Sequence, residues 1–121
     1  MDLIIGLDGG GTKTAGLLCD AGNRVLARVA GPGTAIVGMP PPHVCETLNG
    51  LVDRLCAEAH VSRSRIAHVA LGLSGIDFDD EIPEQHRIFS RSFAIAPERC
   101  AIGWWKLAAR PAAAPSRGRR D

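Results

Sequence analysis

Two near-continuous apolar runs mark the most deeply buried strands that the sequence predicts. They are Leu3–Leu7 and Ile66–Leu73, and runs of this kind are typical of strands covered on both faces of a sheet. Strand-like segments at about 14–20 and 24–30 follow the first run and flank a turn cluster at 20–23. The pattern therefore predicts a three-stranded antiparallel meander at the start of the chain.

A 3.6-residue periodicity predicts a helix that begins near Pro42, since proline suits the first helical turn. The apolar face of this helix consists of Val44, Leu48, Leu51, Val52, Leu55, Cys56 and Ala59. A helix between the two apolar runs allows them to lie side by side as parallel strands. A second helix is predicted at about 83–94 and a fifth strand from Cys100; the core contacts of that helix are Ile88, Phe89, Phe93 and Ile95.

The composition limits the chain to one modest hydrophobic core. It has 121 residues, of which 45% are hydrophobic, and a net charge of +1 that favours no particular partner. The charge is unevenly distributed, because residues 104–121 carry five basic residues and one acidic residue. Four cysteines, at 19, 45, 56 and 100, form no C-x-x-C pair, and neither a signal peptide nor an 18-residue apolar span is present. We therefore expect reduced thiols, a cytoplasmic location and no membrane partner.

The first apolar run ends at a carboxylate and three glycines, and this turn is the first segment with evident chemistry. Glycines let a backbone approach a ligand closely, and the neighbouring hydroxyl, ammonium and N–H groups can face phosphate oxygens. Asp8 is the predicted metal ligand, because a phosphate-bound Mg²⁺ needs oxygen ligands. The predicted phosphate-binding residues are Asp8, Gly9, Gly10, Gly11, Thr12, Lys13 and Thr14.

Other glycine motifs fit this turn less well. A P-loop needs the pattern G-x-x-x-x-G-K-[ST], but Lys13 follows Gly11 one position too late. That motif and the dinucleotide pattern G-x-G-x-x-G both open a helix, whereas residues 15–19 predict a second strand. A plain glycine-rich hairpin without a ligand remains the alternative.

A second acid follows the other apolar run. Asp77 comes shortly after Leu73, and because ligands bind at the carboxyl ends of strands in open sheets, we expect it on the same edge as Asp8. Two carboxylates at this edge could have separate roles: one would interact with Mg·ATP, and the other would accept a proton from an attacking hydroxyl group. Alternatively, Asp77 helps to start the next helix as part of an acidic run with Asp79, Asp80 and Glu81.

The segment Asp8–Thr14 resembles the first phosphate motif of the BadF/BadG/BcrA/BcrD-type ATPase and N-acetylglucosamine kinase family, within the superfamily of sugar kinases, actin and heat-shock chaperone ATPases. The resemblance implies the fold class: an α/β, ribonuclease-H-like (actin-like ATPase) half-lobe with a mixed sheet, in the order β-β-β-α-β-α-β. It also implies ATP and Mg²⁺ as cofactors, and phosphoryl transfer to an amino sugar such as N-acetylglucosamine or glucosamine. Full-length relatives of this kind can be homodimers.

The resemblance extends to the sugar acceptor. The segment Ser74–Asp77 is similar to the S-G-x-D motif of N-acetylglucosamine kinases, which implies Asp77 as catalytic base and sugar ligand, with Ser74 and Gly75 beside it. The Gly-Pro-rich segment at 31–38 lies where the family has a substrate-binding loop, and Thr34 occupies a position that is often asparagine. That difference leaves the identity of the sugar open, and a simple Gly-Pro connection is the alternative.

The family pattern stops after Gly103. Residues 1–103 are interpreted as the N-terminal part of a kinase lobe, and residues 104–121 as a divergent, basic tail rich in Ala, Pro and Arg that we expect to be disordered. The simultaneous loss of motif, periodicity and charge balance suggests a truncated or frameshifted kinase fragment with little or no turnover. In the tail, Arg117, Arg119 and Arg120 give weak support to a nucleic-acid-binding arm, which we do not favour.

Two functional alternatives to a sugar kinase remain at this stage. One is an ATPase that activates a radical dehydratase, as other members of the resembled family do. That activity needs iron–sulfur cysteines, and the four cysteines of this chain show no cluster spacing. The other alternative is a non-catalytic fragment that at most binds nucleotide weakly.

Overall fold

The computed structural model describes residues 2–34, 41–73 and 82–104. Predictions that concern Ser74, Gly75, Asp77 and the chain after Trp104 lie outside these ranges. Two short 3₁₀ turns, Arg63–Arg65 and Pro97–Arg99, precede the last two strands. The strands and helices are β1 (Leu3–Gly9), β2 (Lys13–Asp20), β3 (Val25–Pro32), α1 (Pro41–Ala59), β4 (Ile66–Leu73), α2 (Ile82–Phe93) and β5 (Cys100–Trp104).

The five strands form one mixed sheet in the order β3-β2-β1-β4-β5. β1, β2 and β3 are antiparallel neighbours, whereas β4 runs parallel to both β1 and β5. The predicted meander, the parallel pairing of the two apolar runs and the order of elements are therefore confirmed. β1 lies at the centre of the sheet, where its last residue, Gly9, is the register partner of both Thr14 and Leu73.

In the described part of the chain, the hydrophobic core lies on one face of the sheet. Leu3, Ile5 and Leu7 of β1 are buried on that face, whereas Ile4 is 36% exposed and Asp8 is exposed on the opposite face. The prediction that β1 is buried on both faces is therefore wrong for the part of the chain that the structure describes. The physical reason is that the buried faces of both helices pack into the same cluster as Leu3, Ile5 and Leu7.

Helix α1 packs closely against β3 where Gly31 has no side chain. The predicted apolar stripe is confirmed, and its members from Val44 to Cys56 are buried. A Cβ atom on Gly31 would lie 2.8 Å from Leu51 Cδ2, and one on Gly16 would lie 3.4 Å from Leu55 Cδ1. The missing side chain at Gly31 therefore lets α1 approach β3 closely, whereas the Gly16 contact with Leu55 is an ordinary van der Waals distance.

Each helix ends in a left-handed residue that is not glycine. His60 follows α1 with φ of 58°, and Ala94 follows α2 with φ of 57°. Backbone N–H groups after each helix donate to carbonyl groups of the last turn, as from Val61 to Cys56 and from Ile95 to Ser90. Both helices therefore stop in the Schellman type of geometry, in which glycine is the usual residue.

Side chains join α2 to its neighbours. Asn49 of α1 donates from Nδ2 to Ser92 Oγ at 2.7 Å. At the other end of the helix, His86 Nε2 lies within hydrogen-bond distance of the carbonyl oxygens of Pro97 and Cys100. In the described ranges, neither helix is long and apolar enough to cross a membrane.

Candidate functional site

Asp8 lies on the face of the sheet that the helices leave uncovered, close to the carboxyl end of β1. Its register partners are Ala15 on β2 and Gly72 on β4. Because these neighbours have a methyl group or no side chain, the exposed carboxylate is not crowded by its own sheet. Asp8 borders a hollow of about 530 Å³ on this face, which is also lined by Gly6, Leu17, Arg28 and Ala70.

The turn between β1 and β2 projects beyond Asp8. It is closed by the N–H of Gly10, which donates to the carbonyl oxygen of Lys13 at 2.9 Å. Gly11, Thr12 and Lys13 are consecutive exposed residues at its tip. The tip therefore presents a backbone without a side chain, a hydroxyl group and an ammonium group to solvent at the edge of the sheet.

The three glycines of this turn differ in what the fold requires of them. A Cβ atom on Gly9 would collide with the Thr34 hydroxyl and lie 2.6 Å from Leu73 Cδ2, and one on Gly10 would lie 3.0 Å from the Lys13 carbonyl oxygen. A Cβ atom on Gly11 would meet nothing within 4 Å, and none of the three residues has the left-handed φ that favours glycine. Packing thus explains Gly9 and Gly10, whereas at Gly11 the missing side chain only leaves the backbone accessible from outside.

Thr14 and Thr34 are buried, and their hydroxyl oxygens lie 2.7 Å apart. Both residues were predicted to contact a ligand, Thr14 the phosphates and Thr34 the sugar. In the structure the two hydroxyl groups are turned towards each other inside the protein. A direct contact of either group with a ligand would require this buried pair to separate.

The structure leaves Asp8, Gly11, Thr12 and Lys13 exposed at and just beyond the carboxyl end of β1. The carboxyl end of β4 lies beside it, because Leu73 is the register partner of Gly9. The predicted acceptor residues Ser74, Gly75 and Asp77 lie outside the described residues. Their placement on this edge stays a prediction.

A metal ion at this edge would have one carboxylate from the described part of the chain. No group of three or more His, Cys, Asp or Glu side chains that could hold a metal occurs among the described residues. Asp8 alone fits Mg²⁺ that arrives with a nucleotide, because such an ion keeps its phosphate and water ligands and takes only one or two carboxylates. The open surroundings of Asp8 leave room for such an ion.

Sequence reasoning did not single out Arg28 or Gly33. Arg28 of β3 is the register partner of Leu17 and borders the same hollow as Asp8. Its position on this face could have been deduced from the alternation along β3. Gly33 lies against the turn, since a Cβ atom there would be 3.0 Å from the Gly10 carbonyl oxygen, and no local pattern in the sequence indicates this contact.

Solved structures with a similar architecture show the fold class of this chain. A protein from Chromobacterium violaceum assigned as an N-acetylglucosamine kinase matches 84% of this chain with a TM-score of 0.65 and 24% identity. YeaZ from Pseudomonas aeruginosa matches 86% of it with a TM-score of 0.53 and 19% identity. The fold is a half-lobe of the actin-like ATPase and sugar kinase type, as the sequence predicted.

These likenesses concern the fold, since both identities are below 25%. The chain spans 34% of the length of the kinase and 44% of the length of YeaZ. No protein-family model matches the chain, and no curated protein matches its sequence.

Proposed function

We propose that this chain is the nucleotide-phosphate-binding part of a sugar kinase of the BadF/BadG and N-acetylglucosamine kinase type. The observation that carries the proposal is the exposed group of Asp8, Gly11, Thr12 and Lys13 at the carboxyl end of the central strand. Open sheets of α/β proteins bind ligands at this edge. The reaction would be transfer of the γ-phosphoryl group of ATP to a hydroxyl group of an amino sugar, such as N-acetylglucosamine or glucosamine.

The residues at the turn have separate tasks in this proposal. The Lys13 ammonium group and the Thr12 hydroxyl group bind phosphate oxygens, and the absence of a side chain at Gly11 lets the phosphates approach the backbone. Asp8 holds the Mg²⁺ ion of Mg·ATP directly or through its waters. That ion, when bound, neutralises charge on the phosphates, and the protein's part is mainly positioning and electrostatic stabilisation.

The acceptor side of the reaction is assigned to residues that follow β4. Asp77 would accept the proton of the attacking sugar hydroxyl, and Ser74 and Gly75 would contact the sugar. What supports this assignment is that β4 ends beside β1, with Leu73 paired to Gly9. The chain therefore leaves β4 at the same edge of the sheet where β1 ends.

The chain spans only part of the kinase that it resembles in fold. We therefore propose Mg·ATP binding for residues 1–103 by themselves, and residues 104–121 as a divergent tail. A non-catalytic nucleotide-binding fragment is the second candidate function, and this 34% coverage is the observation that favours it.

Binding of a fluorescent ATP analogue with Mg²⁺ tests the nucleotide site. Asp8→Asn should weaken binding about tenfold, because one charge that faces the ion is lost. Glu58→Gln is the matched control, since it removes an exposed carboxylate from α1, and it should bind as the wild type does. Equal affinity of Asp8→Asn and wild type, or no binding by either, would contradict the proposal.

ADP release in the presence of a panel of hexosamines separates the kinase from the silent fragment. Turnover that depends on one hexosamine and disappears in Asp77→Asn would establish the kinase and its base. Nucleotide binding without turnover for any sugar would identify the fragment. The same measurement without sugar tests for ATPase activity of the dehydratase-activator type.

A further inference from the structure

The two residues after β3 are attached to the turn between β1 and β2 by three separate contacts. The Thr34 N–H donates to the Gly10 carbonyl oxygen at 3.0 Å. The Thr34 hydroxyl oxygen lies 2.7 Å from that of Thr14, which is the register partner of Gly9. At Gly33 the backbone packs directly on the turn, because a Cβ atom there would be 2.7 Å from the carbonyl carbon of Gly11.

The contact between the Thr14 and Thr34 hydroxyl groups is buried, and burial restricts each group to the other as its partner. Thr14 and Thr34 both have 0% exposure, so neither hydroxyl group can exchange its partner for bulk water without a structural change. A buried hydroxyl group that loses its partner costs more free energy than the bond contributed, because its desolvation is then uncompensated. The pair therefore holds the Gly10 end of the turn in one position relative to β3.

The space around the pair is also closed. A Cβ atom on Gly9 would overlap the Thr34 hydroxyl group, and Leu73 of β4 fills the other side of the same site. The position of Thr34 is thus determined jointly by the ends of β1, β2 and β4. A residue at 34 that is too large or lacks the hydroxyl group would disturb all three at the edge where Asp8 lies.

We propose that Thr34 is a positioning residue for the phosphate-binding turn, acting through Gly10 and Thr14 and not through contact with the sugar. The inference rests on the proposed function for its consequence in nucleotide binding. Its structural part, that Thr34 determines the conformation of residues 10–13, stands independently of any ligand. It also differs from the sequence expectation, which assigned Thr34 to the substrate.

Two substitutions at this position form a matched test. Thr34→Val keeps the shape and removes the hydroxyl group, whereas Thr34→Ser keeps the hydroxyl group and removes a methyl group. Hydrogen exchange of the Gly10 amide, which donates to the Lys13 carbonyl oxygen, should accelerate roughly tenfold in Thr34→Val when followed by NMR without nucleotide, as expected for one lost buried hydrogen bond. Exchange in Thr34→Ser should stay within about twofold of the wild type.

Nucleotide affinity is the second readout, measured at a temperature at which every variant is fully folded. Thr34→Val should weaken binding of Mg·ATP roughly tenfold, and Thr34→Ser should restore it. Thr14→Val should reproduce the effect of Thr34→Val, and the double variant should be no weaker than either single variant, because the two hydroxyl groups act as one unit. A role in stability alone would lower the unfolding midpoint and leave the affinity of the folded protein unchanged.

The two measurements separate failure of this inference from failure of the proposed function. If the wild type binds Mg·ATP and Thr34→Val binds equally well with unchanged exchange, the positioning role is refuted. If no variant binds nucleotide, the proposed function fails, and the exchange data alone decide whether Thr34 fixes the turn. Accelerated exchange only outside residues 10–13 would also refute the inference.

Discussion

The Nε2 atom of His86 lies 2.6 Å from the carbonyl oxygen of Cys100 and 2.9 Å from that of Pro97. One side chain of α2 thus contacts both the 3₁₀ turn before β5 and the first residue of that strand. Replacement of His86 by alanine removes this link and should lower the free energy of unfolding by about 1–2 kcal/mol. Urea denaturation of His86→Ala measures the loss.

His43→Ala is the control for that substitution, because His43 is exposed on the first turns of α1. It should change the free energy of unfolding by less than about 0.5 kcal/mol. Equal effects of the two alanine variants would mean that the His86 contacts contribute nothing specific.

Ala94 offers a route to a more stable protein. Its φ of 57° puts its backbone in the left-handed region, where a Cβ atom is unfavourable and glycine is preferred. Ala94→Gly should therefore raise the free energy of unfolding by up to about 1 kcal/mol. Ala96→Gly is the matched control, since Ala96 has an ordinary φ of −61° and glycine there should only destabilise. Thermal unfolding of both variants should show midpoint shifts of opposite sign.

The glycines of the turn give a prediction in which stability and binding respond differently. Gly9→Ala should destabilise the fold by about 1–3 kcal/mol, because its methyl group would enter the space of Thr34 and Leu73. Gly11→Ala has no such conflict and should fold as well as the wild type, yet bind Mg·ATP more weakly if the phosphates approach that backbone. Chemical denaturation and nucleotide titration of the two variants check both parts. Unchanged nucleotide affinity in Gly11→Ala would place the ligand elsewhere.

Alkaline pH should weaken the fold in part through the buried thiol of Cys100. Burial raises the pKa of the Cys100 thiol from its ordinary value of 9.0 to about 11. The folded protein therefore binds the thiol proton more tightly than the unfolded chain does. The contribution of the protonated Cys100 thiol to the free energy of unfolding is complete below about pH 9 and is lost as the pH rises towards 11. Cys100→Val, which cannot ionise, should show a shallower fall in the unfolding free energy over this range. An identical slope would disprove the assignment to Cys100.

Acid should weaken the turn between β2 and β3. The backbone N–H of Arg24 is the main cause that lowers the pKa of Asp20 below 3.8, assisted by the N–H of Gly22, while partial burial acts in the opposite direction. A carboxyl group whose pKa is lowered by folding stabilises the folded state at pH values above its pKa in the unfolded chain. This contribution is lost as the pH falls through the pKa of the folded state. NMR titration of the Asp20 carboxyl carbon should show the lowered midpoint. The Arg24→Ala variant should retain most of this lowering of the Asp20 pKa, since the backbone N–H of residue 24 stays in place.

Much of this architecture could be read from local patterns. The stripe from Val44 to Ala59 has a helical period over four turns, and the run Ile66–Leu73 matches the bounds of β4. Such elements are predictable because propensity, burial and periodicity agree over many residues. The parallel pairing of β1 and β4 followed from the helix between them.

The features that local patterns did not reveal concern contacts between segments that are distant in the sequence. An apolar run such as Leu3–Leu7 indicates burial but does not reveal on which face the helices pack. The pairing of Thr14 with Thr34 and the contact of Gly33 with the turn depend on tertiary register, which leaves no periodic signal. The family resemblance placed Thr34 at a substrate-binding position; the structure buries its hydroxyl group, and a contact with the sugar stays a prediction.

The central place of β1 also bears on how the chain folds during synthesis. One edge of β1 can pair with β2 as soon as the first hairpin has emerged, but the other edge waits for β4, since Leu3 pairs with Ile66. Until then an apolar strand keeps an unpaired row of N–H and C=O groups, which is the usual template for pairing with another chain. We therefore expect nascent chains that stop before Leu73 to aggregate, and the arrival of β4 to end that hazard.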